Sequence, residues 1–230
     1  MTGPPLPQGD AKVRAVDDMF DRIAPRYDLL NRMLTFGMDV GWRKRAVAAL
    51  GLPPGARVLD IACGTGDLCR ELKANEYRPF GIDRSAGMLA AARTSAPLLR
   101  ADGLQLPFPD GSVDGIVCGF ALRNFENLGR FLAECGRVLR DGGRVSLLEV
   151  ATPRQKVLQV GHSVYFGRVV PLVGGLVSDR AAYQYLPKSV AYLPAEAELM
   201  QMLLDAGFPD ARRLALSMGI AQLLTGTRRR

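Results

Sequence analysis

The part of this chain that most limits its fold runs from Arg57 to Val150, where strand-like and helix-like segments alternate. "RVLDIA" leads into a glycine turn and the helix "DLCRELKAN", and "RPFGID" into a helix over 85–94. "LLRAD", the strand "VDGIVCG", a helix over 126–140 and the strand "RVSLLEV" complete the run. In the last helix Leu128, Phe131, Leu132, Cys135, Val138 and Leu139 share one face, and Asp141-Gly142-Gly143 is the expected stop. Parallel strands need such crossovers, so the alternation predicts an α/β, doubly wound sheet. A helix over 194–206 and the segments "ARRLALSM" and "GIAQLLTGTR" add two final strands, which makes seven in a mostly parallel sheet.

The flanks of this run read differently. Upstream, Val16, Met19, Phe20 and Ile23 follow i, i+3, i+4, i+7 spacing, Pro25 interrupts the pattern, and two more helical segments follow: Tyr27 toward Leu34, and Trp42 to Gly51. Residues 12–50 are thus expected to form a helical cap, and residues 1–11 a disordered lead-in. Residues 151–193 break the rhythm with aromatics, valine and glycine and read as an insertion before the last two strands. The expected organisation is a single domain over 12–230.

Composition narrows the function classes. With 48% hydrophobic and 23% charged residues, the chain is an ordinary globular protein. The formal charge of +7 favours an anionic partner such as nucleic acid, a lipid surface or a phosphorylated substrate, although the only dense basic cluster is Arg228-Arg229-Arg230. Cys63, Cys69, Cys118 and Cys135 have neither CxxC spacing nor a histidine cluster beside them, which argues against metal and disulfides and for a reducing cytoplasm. The nearest approach to a spanning segment, Val169 to Val177, is broken by Pro171 and a glycine pair. A membrane, if met, is met from the side.

The glycine turn lies in "VLDIACGTGD", Val58 to Asp67. Gly64 and Gly66 supply the first two glycines of a dinucleotide fingerprint, but its third place is held by Cys69, which weakens the NAD reading. Asp83 ends the second strand, where a carboxylate accepts both hydroxyls of a ribose, and Asp102 ends the third, placed to accept from an adenine amino group. Ligands of such sheets lie beyond the carboxyl ends of the strands, which brings Asp60, Asp83, Asp102 and Gly119 to one crevice. Three carboxylates suit a cofactor with sulfonium and ammonium groups better than one with a pyrophosphate. Taken singly, each aspartate reads equally well as a helix cap or turn residue.

At these residues the chain resembles the class I S-adenosylmethionine-dependent methyltransferases, and more narrowly the ubiquinone/menaquinone biosynthesis C-methyltransferase family. The narrow likeness rests on "DMFDRIAPRYDLLNRMLTFGMDVGWRKR", "VLDIACGTGD", "LPFPDGSVDGI", "FALRN", "RVLRDGGRV" and "AAYQYLPKSV", nearly the whole chain after the first ten residues. It implies a Rossmann-like fold, S-adenosyl-L-methionine contacted at Thr65, Asp83 and the Asp102-Gly103 pair, and methylation of a ring carbon on a polyprenylated quinol; with Asp60, Gly64, Gly66 and Gly119 of the turn and crevice, these make up the expected cofactor site. Asp39, Gly119 and Ala121 depart from that pattern, where histidine, serine and glycine are common. The implied substrate adds a substrate-binding role for residues 151–193, with Tyr165, Phe166, Tyr183 and Tyr185 read either as linings of a prenyl-tail channel or, as aromatics at such spacing more often are, as core. Transient contact with the inner face of a membrane and a homodimer belong to the same expectation.

The stretch "GFALRNF", Gly119 to Phe125, places an arginine and an asparagine where a buried strand runs out. Arg123 is the candidate activator of a quinol hydroxyl, Asn124 a candidate to orient a ring oxygen or a water, and Tyr27 a third member of the network. Their structural alternatives are an N-cap role for Asn124 and pairing of Arg123 with Glu126 or Asp67. His162, the only histidine, reads as incidental. Demethylmenaquinol is favoured over the ubiquinone precursor. Nucleic-acid base methylation is set aside, because the Asn/Asp-Pro-Pro-aromatic signature of amino-group methyltransferases is missing after the fourth strand. A non-catalytic cofactor-binding scaffold is the remaining reading.

Overall fold

The computed structural model describes residues 9–151, 153 and 189–229. Helix α1 (Gly9–Ile23), a 3-10 turn carrying Pro25, α2 (Tyr27–Leu34) and α3 (Met38–Ala48) precede the sheet. Then come β1 (Arg57–Ile61), α4 (Asp67–Ala74), β2 (Arg78–Asp83), α5 (Ala86–Ala90), β3 (Leu98–Arg100), β4 (Val113–Gly119), α6 (Leu128–Val138) and β5 (Leu139–Val150). The chain ends with α7 (Glu196–Asp205), β6 (Arg212–Leu216) and β7 (Ala221–Thr227).

These strands form one seven-stranded sheet in the order β3-β2-β1-β4-β5-β7-β6. The first five are parallel, and β7 pairs antiparallel with both β5 and β6. Central strands covered on both faces have to be apolar throughout, and β1 and β4 are buried almost along their lengths. The edges are kept short or charged: β3 has three residues, and β6 opens with Arg212 and Arg213. Chain order reverses at β1, with β2 on one side and β4 on the other, so the crevice opens at their carboxyl ends.

Several expectations change. Gly9 already begins α1, so the lead-in ends earlier than 11, while α5 closes at Ala90 and does not reach residue 94. Helix α6 spans Leu128–Val138 and not 126–140; its N-cap is Asn127, whose side chain accepts from the Arg130 N–H at 2.9 Å, so Asn124 caps no helix there. Asp141-Gly142-Gly143 does not stop α6, because the chain enters β5 at Leu139. The three residues instead fall where the β4–β5 register slips, between the Val113–Leu139 and Gly115–Arg144 pairs, with Gly142 at φ 72°.

The N-terminal helices pack as a cap. Met19, Ile23, Ala24 and Leu30 join Met88 in one cluster, so α1 and α2 sit on α5. Trp42 of α3 is buried, and its indole N–H donates to Ser217 Oγ at 2.8 Å. His162, Tyr165, Phe166, Tyr183, Tyr185, the apolar run 169–177 and most of the 151–193 insertion lie outside the described residues. Among the described residues no helix is long and apolar enough to cross a membrane.

Candidate active site

A cleft with about 1100 Å³ of empty space, partly open to solvent, lies at the carboxyl ends of β1, β2 and β4 beneath α1 and α2. Local geometry makes it. After β1 the chain turns through Ala62, Gly64 and Gly66, all at positive φ, before α4 begins. A Cβ on Gly64 would meet nothing closer than Met88 Sδ at 4.0 Å, so this turn faces open space, and its φ of +54° favours glycine.

The acidic groups are held in different ways. Asp83 accepts from the N–H of Gly64 at 2.8 Å through Oδ2 and from that of Ser85 at 2.9 Å through Oδ1. Each oxygen keeps a second lone pair for a ligand hydroxyl. Burial raises its pKa despite these backbone bonds. Asp60 is fully buried; its Oδ2 accepts from the Cys69 thiol at 3.3 Å, while Oδ1 has no hydrogen-bond partner. Burial is the main reason its pKa is pushed up to about 7, and the neighbouring Asp83 charge pushes the same way.

Helix α1 is tied across the mouth. Arg84 bridges Asp17 at 3.1 Å and Asp102 at 3.2 Å, while Asp21 accepts from Ser85 Oγ and from the Gly87 N–H at 2.9 Å. A Cβ at Gly87 would stand 2.9 Å from the Asp21 Cα, so glycine is what allows the helix to approach this closely. Val13, Val16, Asp17 and Phe20 thereby become part of the lining.

Of the residues singled out in the sequence, Tyr27, Asp60, Gly64, Thr65, Asp83, Gly103, Gly119 and Asn124 line the cleft. Thr65 turns its hydroxyl to Asp28 of α2. Gly66, Asp102 and Arg123 stand outside the lining. Gly66 faces Thr94, and the Asp102 carboxylate, 41% exposed, is engaged by Arg84 and the Leu104 N–H. Gly119 faces Leu68, whose Cδ1 would lie 2.9 Å from an added Cβ.

Arg123 is one layer behind the wall. It is 6% exposed and ion-paired through Nη1 with Glu149, which is 0% exposed; the same nitrogen donates to Phe120 O at 2.8 Å, and Nε to Ser189 Oγ at 3.0 Å. Neither Glu126 nor Asp67 is its partner, so Glu149 replaces both of the pairings expected from sequence. Tyr27 reports the field of this arginine: burial raises its pKa, and a hydrogen bond with Asn31 and the charges of Arg123 and Arg43 oppose the rise. Sequence reasoning missed Glu149, Ser189 and Arg43. A lone carboxylate in the apolar strand "SLLEV" was the available signal for Glu149; Ser189 had none.

The acidic, glycine-walled cleft fits S-adenosylmethionine on the strength of its donor set. Buried carboxylates, one with an orphaned oxygen, stabilise a ligand that carries positive charge and would repel a pyrophosphate. Asp60 and Asp83 would hold its ammonium group and ribose hydroxyls.

Comparison with known proteins finds relatives that match nearly the whole chain. This chain is 45% identical to a demethylmenaquinone methyltransferase of Thermus thermophilus, over 91% of this chain and all of that one. It is 41% identical to one of Deinococcus radiodurans, over 98% of each chain. A ubiquinone/menaquinone biosynthesis C-methyltransferase of Geobacter sulfurreducens is 40% identical over 94% of this chain and 89% of its own. Among solved structures, a SAM-dependent methyltransferase from Thermotoga maritima superposes with a TM-score of 0.65 at 20% identity, over 92% of this chain and 99% of that one, which supports the fold. The family model described as the ubiE/COQ5 methyltransferase family matches residues 8–228, and with these relatives it shows that this chain belongs to that family.

Proposed function

We propose that this protein methylates a ring carbon of a polyprenylated quinol, converting demethylmenaquinol to menaquinol. The observation that carries the reading is one cleft with two unlike sides: orphaned and backbone-bound carboxylates at β1 and β2, and Tyr27 and Asn124 backed by a buried arginine at β4. S-adenosylmethionine, when bound, supplies an electrophilic methyl group on a cationic sulfur.

The chain has to make a phenolic carbon nucleophilic. A phenol with a pKa near 10 is ionised to about one part in a thousand at neutral pH, a penalty of roughly 4 kcal/mol. A fixed guanidinium lowers that penalty as negative charge develops on the oxygen, and each tenfold gain in the ionised fraction removes about 1.4 kcal/mol of it. A guanidinium is a poor base at neutral pH, and Arg123 is held by Glu149, Ser189 and Phe120 O, so its role is electrostatic. Tyr27 and Asn124, on the wall itself, orient the quinol oxygens against that field.

The test is turnover of reduced demethylmenaquinone by the purified protein with S-adenosylmethionine, with product identified by mass spectrometry. Replacing Arg123 and Glu149 together with glutamine keeps hydrogen-bonding capacity in the buried pair while removing its charge. We expect turnover to fall about 100-fold or more with cofactor affinity retained. Full activity in this double variant would end the activation role. Assay of the 2-polyprenyl-6-methoxy-1,4-benzoquinol alternative decides the ring, because the Deinococcus relative is a demethylmenaquinone methyltransferase and the Geobacter relative a C-methyltransferase of ubiquinone/menaquinone biosynthesis.

Membrane contact and a homodimer are finer parts of the proposal. Leu29, Met33 and Phe36 form an exposed apolar stripe on and just after α2, the helix that carries Tyr27 into the cleft. Such a stripe suits brief contact with the bilayer that holds a prenylated substrate. Vesicle flotation tests the contact and sedimentation tests the dimer.

A further inference from the structure

Cys63 lies in the turn after β1 and Cys69 in the first turn of α4, and neither has a place in the roles described above. Both are free thiols. They converge at β2: a Cβ built on Gly81 would stand 2.9 Å from the Cys63 sulfur and 3.1 Å from that of Cys69, so two thiols fill the space a side chain would need there. Gly81 is also the residue that pairs with Asp60 across the sheet.

The two thiols differ in access. Cys63 is 7% exposed and lines the cleft, whereas Cys69 is 0% exposed and donates to Asp60 Oδ2 at 3.3 Å. The Cys69 thiol is also within hydrogen-bonding reach of Cys63, which favours the Cys63 thiolate; burial and the charges of Asp60 and Asp83 outweigh this and hold its pKa above the ordinary value. Cys118 and Cys135 belong to the main core and are not among the residues that line the cleft.

An accessible thiol backed by a buried one can pass through a sulfenic acid to a disulfide. Resting on the cofactor site described above, we propose that Cys63 and Cys69 form a reversible, peroxide-sensitive dithiol that governs cofactor binding. Hydrogen peroxide oxidises the Cys63 thiol to a sulfenic acid and leaves as water. The Cys69 sulfur then attacks the Cys63 sulfur, the hydroxyl departs with the Cys69 proton as a second water, and the S–S bond closes, so one peroxide is reduced as two thiols are oxidised. The disulfide takes away the thiol hydrogen that Asp60 Oδ2 accepts. Asp60, whose other oxygen has no hydrogen-bond partner, then holds its proton more tightly and attracts a cationic ligand less. Conditions that oxidise a quinol substrate to the quinone would thus also empty the cofactor site.

The test exposes the ligand-free full chain to hydrogen peroxide and follows by mass spectrometry the tryptic peptide over 58–70, which carries both cysteines. The same samples are titrated with S-adenosylhomocysteine by calorimetry. Peroxide should remove two hydrogens from that peptide and weaken binding about 10-fold or more, and dithiothreitol should restore both. Cys63→Ser removes the accessible thiol, and its affinity should change less than about twofold under the same peroxide. A peptide that forms no disulfide, or a disulfide that leaves affinity unchanged, would overturn the switch. Reduced wild-type protein that does not bind S-adenosylhomocysteine would instead overturn the cofactor reading, a failure seen before any oxidant is added.

Discussion

The two sides of the cleft handle buried charge in opposite ways. At β1, Asp60 is fully buried and keeps one oxygen without a hydrogen-bond partner. At β4 and β5, Arg123 and Glu149 are bonded to one another and to surrounding groups. Burying an unmatched carboxylate costs stability until a cationic ligand arrives, whereas a matched pair is rigid before anything binds. The first arrangement suits a tight, charged cofactor. The second suits a surface against which a neutral ring is aligned and then made anionic.

The sharpest way to break this comparison is to unbalance the matched side. Glu149→Ala leaves the Arg123 charge buried and unpaired, and is expected to cost about 3–5 kcal/mol of stability in urea unfolding. A loss below about 1 kcal/mol would mean that Arg123 is not confined by this partner.

A smaller effect sharpens the unmatched side. With Asp60 raised from its ordinary 3.8 to about 7, its proton is held more tightly in the folded, ligand-free protein. The resulting stabilisation is fully present below the unfolded value and is lost as pH rises through about 7. Asp60→Asn should therefore raise ligand-free stability at mildly alkaline pH. A cationic cofactor favours the ionised carboxylate, so wild-type affinity should climb by up to about tenfold per pH unit toward neutrality and then level off. Calorimetry across that range should give a flat profile for the asparagine variant.

The smallest effect concerns the border between the two sides. At Gly119 a serine side chain has to displace only the Leu68 methyl 2.9 Å away, the flexible end of a side chain. Gly119→Ser is expected to change stability by less than about 1 kcal/mol and to tighten cofactor binding about 2- to 10-fold. Thermal unfolding and calorimetry check the two parts.

What was legible in the chain follows the range of the interactions involved. The glycine turn and the aspartate closing β2 are local signals, and Asp60, Gly64 and Asp83 are indeed found around one cleft. Asn124 was ambiguous because Asn127, three residues on, satisfies the same cap chemistry, and only the helix start decides between them. The bulge at Gly142 and Gly143 read as a helix stop because glycine serves both purposes. Glu149 was hidden for a different reason: its partner lies 26 residues away along the chain, and no periodicity links them.

By itself the sequence determined the alternation of elements, and through it a doubly wound sheet whose crevice opens where the acidic strand ends lie, because crossover connection and strand burial leave few other solutions. Only the tertiary structure decided which charges meet. Strand β5 lies beside β4, so Glu149 reaches Arg123, and α3 lies against α4, so Arg43 reaches Asp67. Ion pairs depend on separations of a few ångströms, and those are set by how the layers pack and not by spacing along the chain.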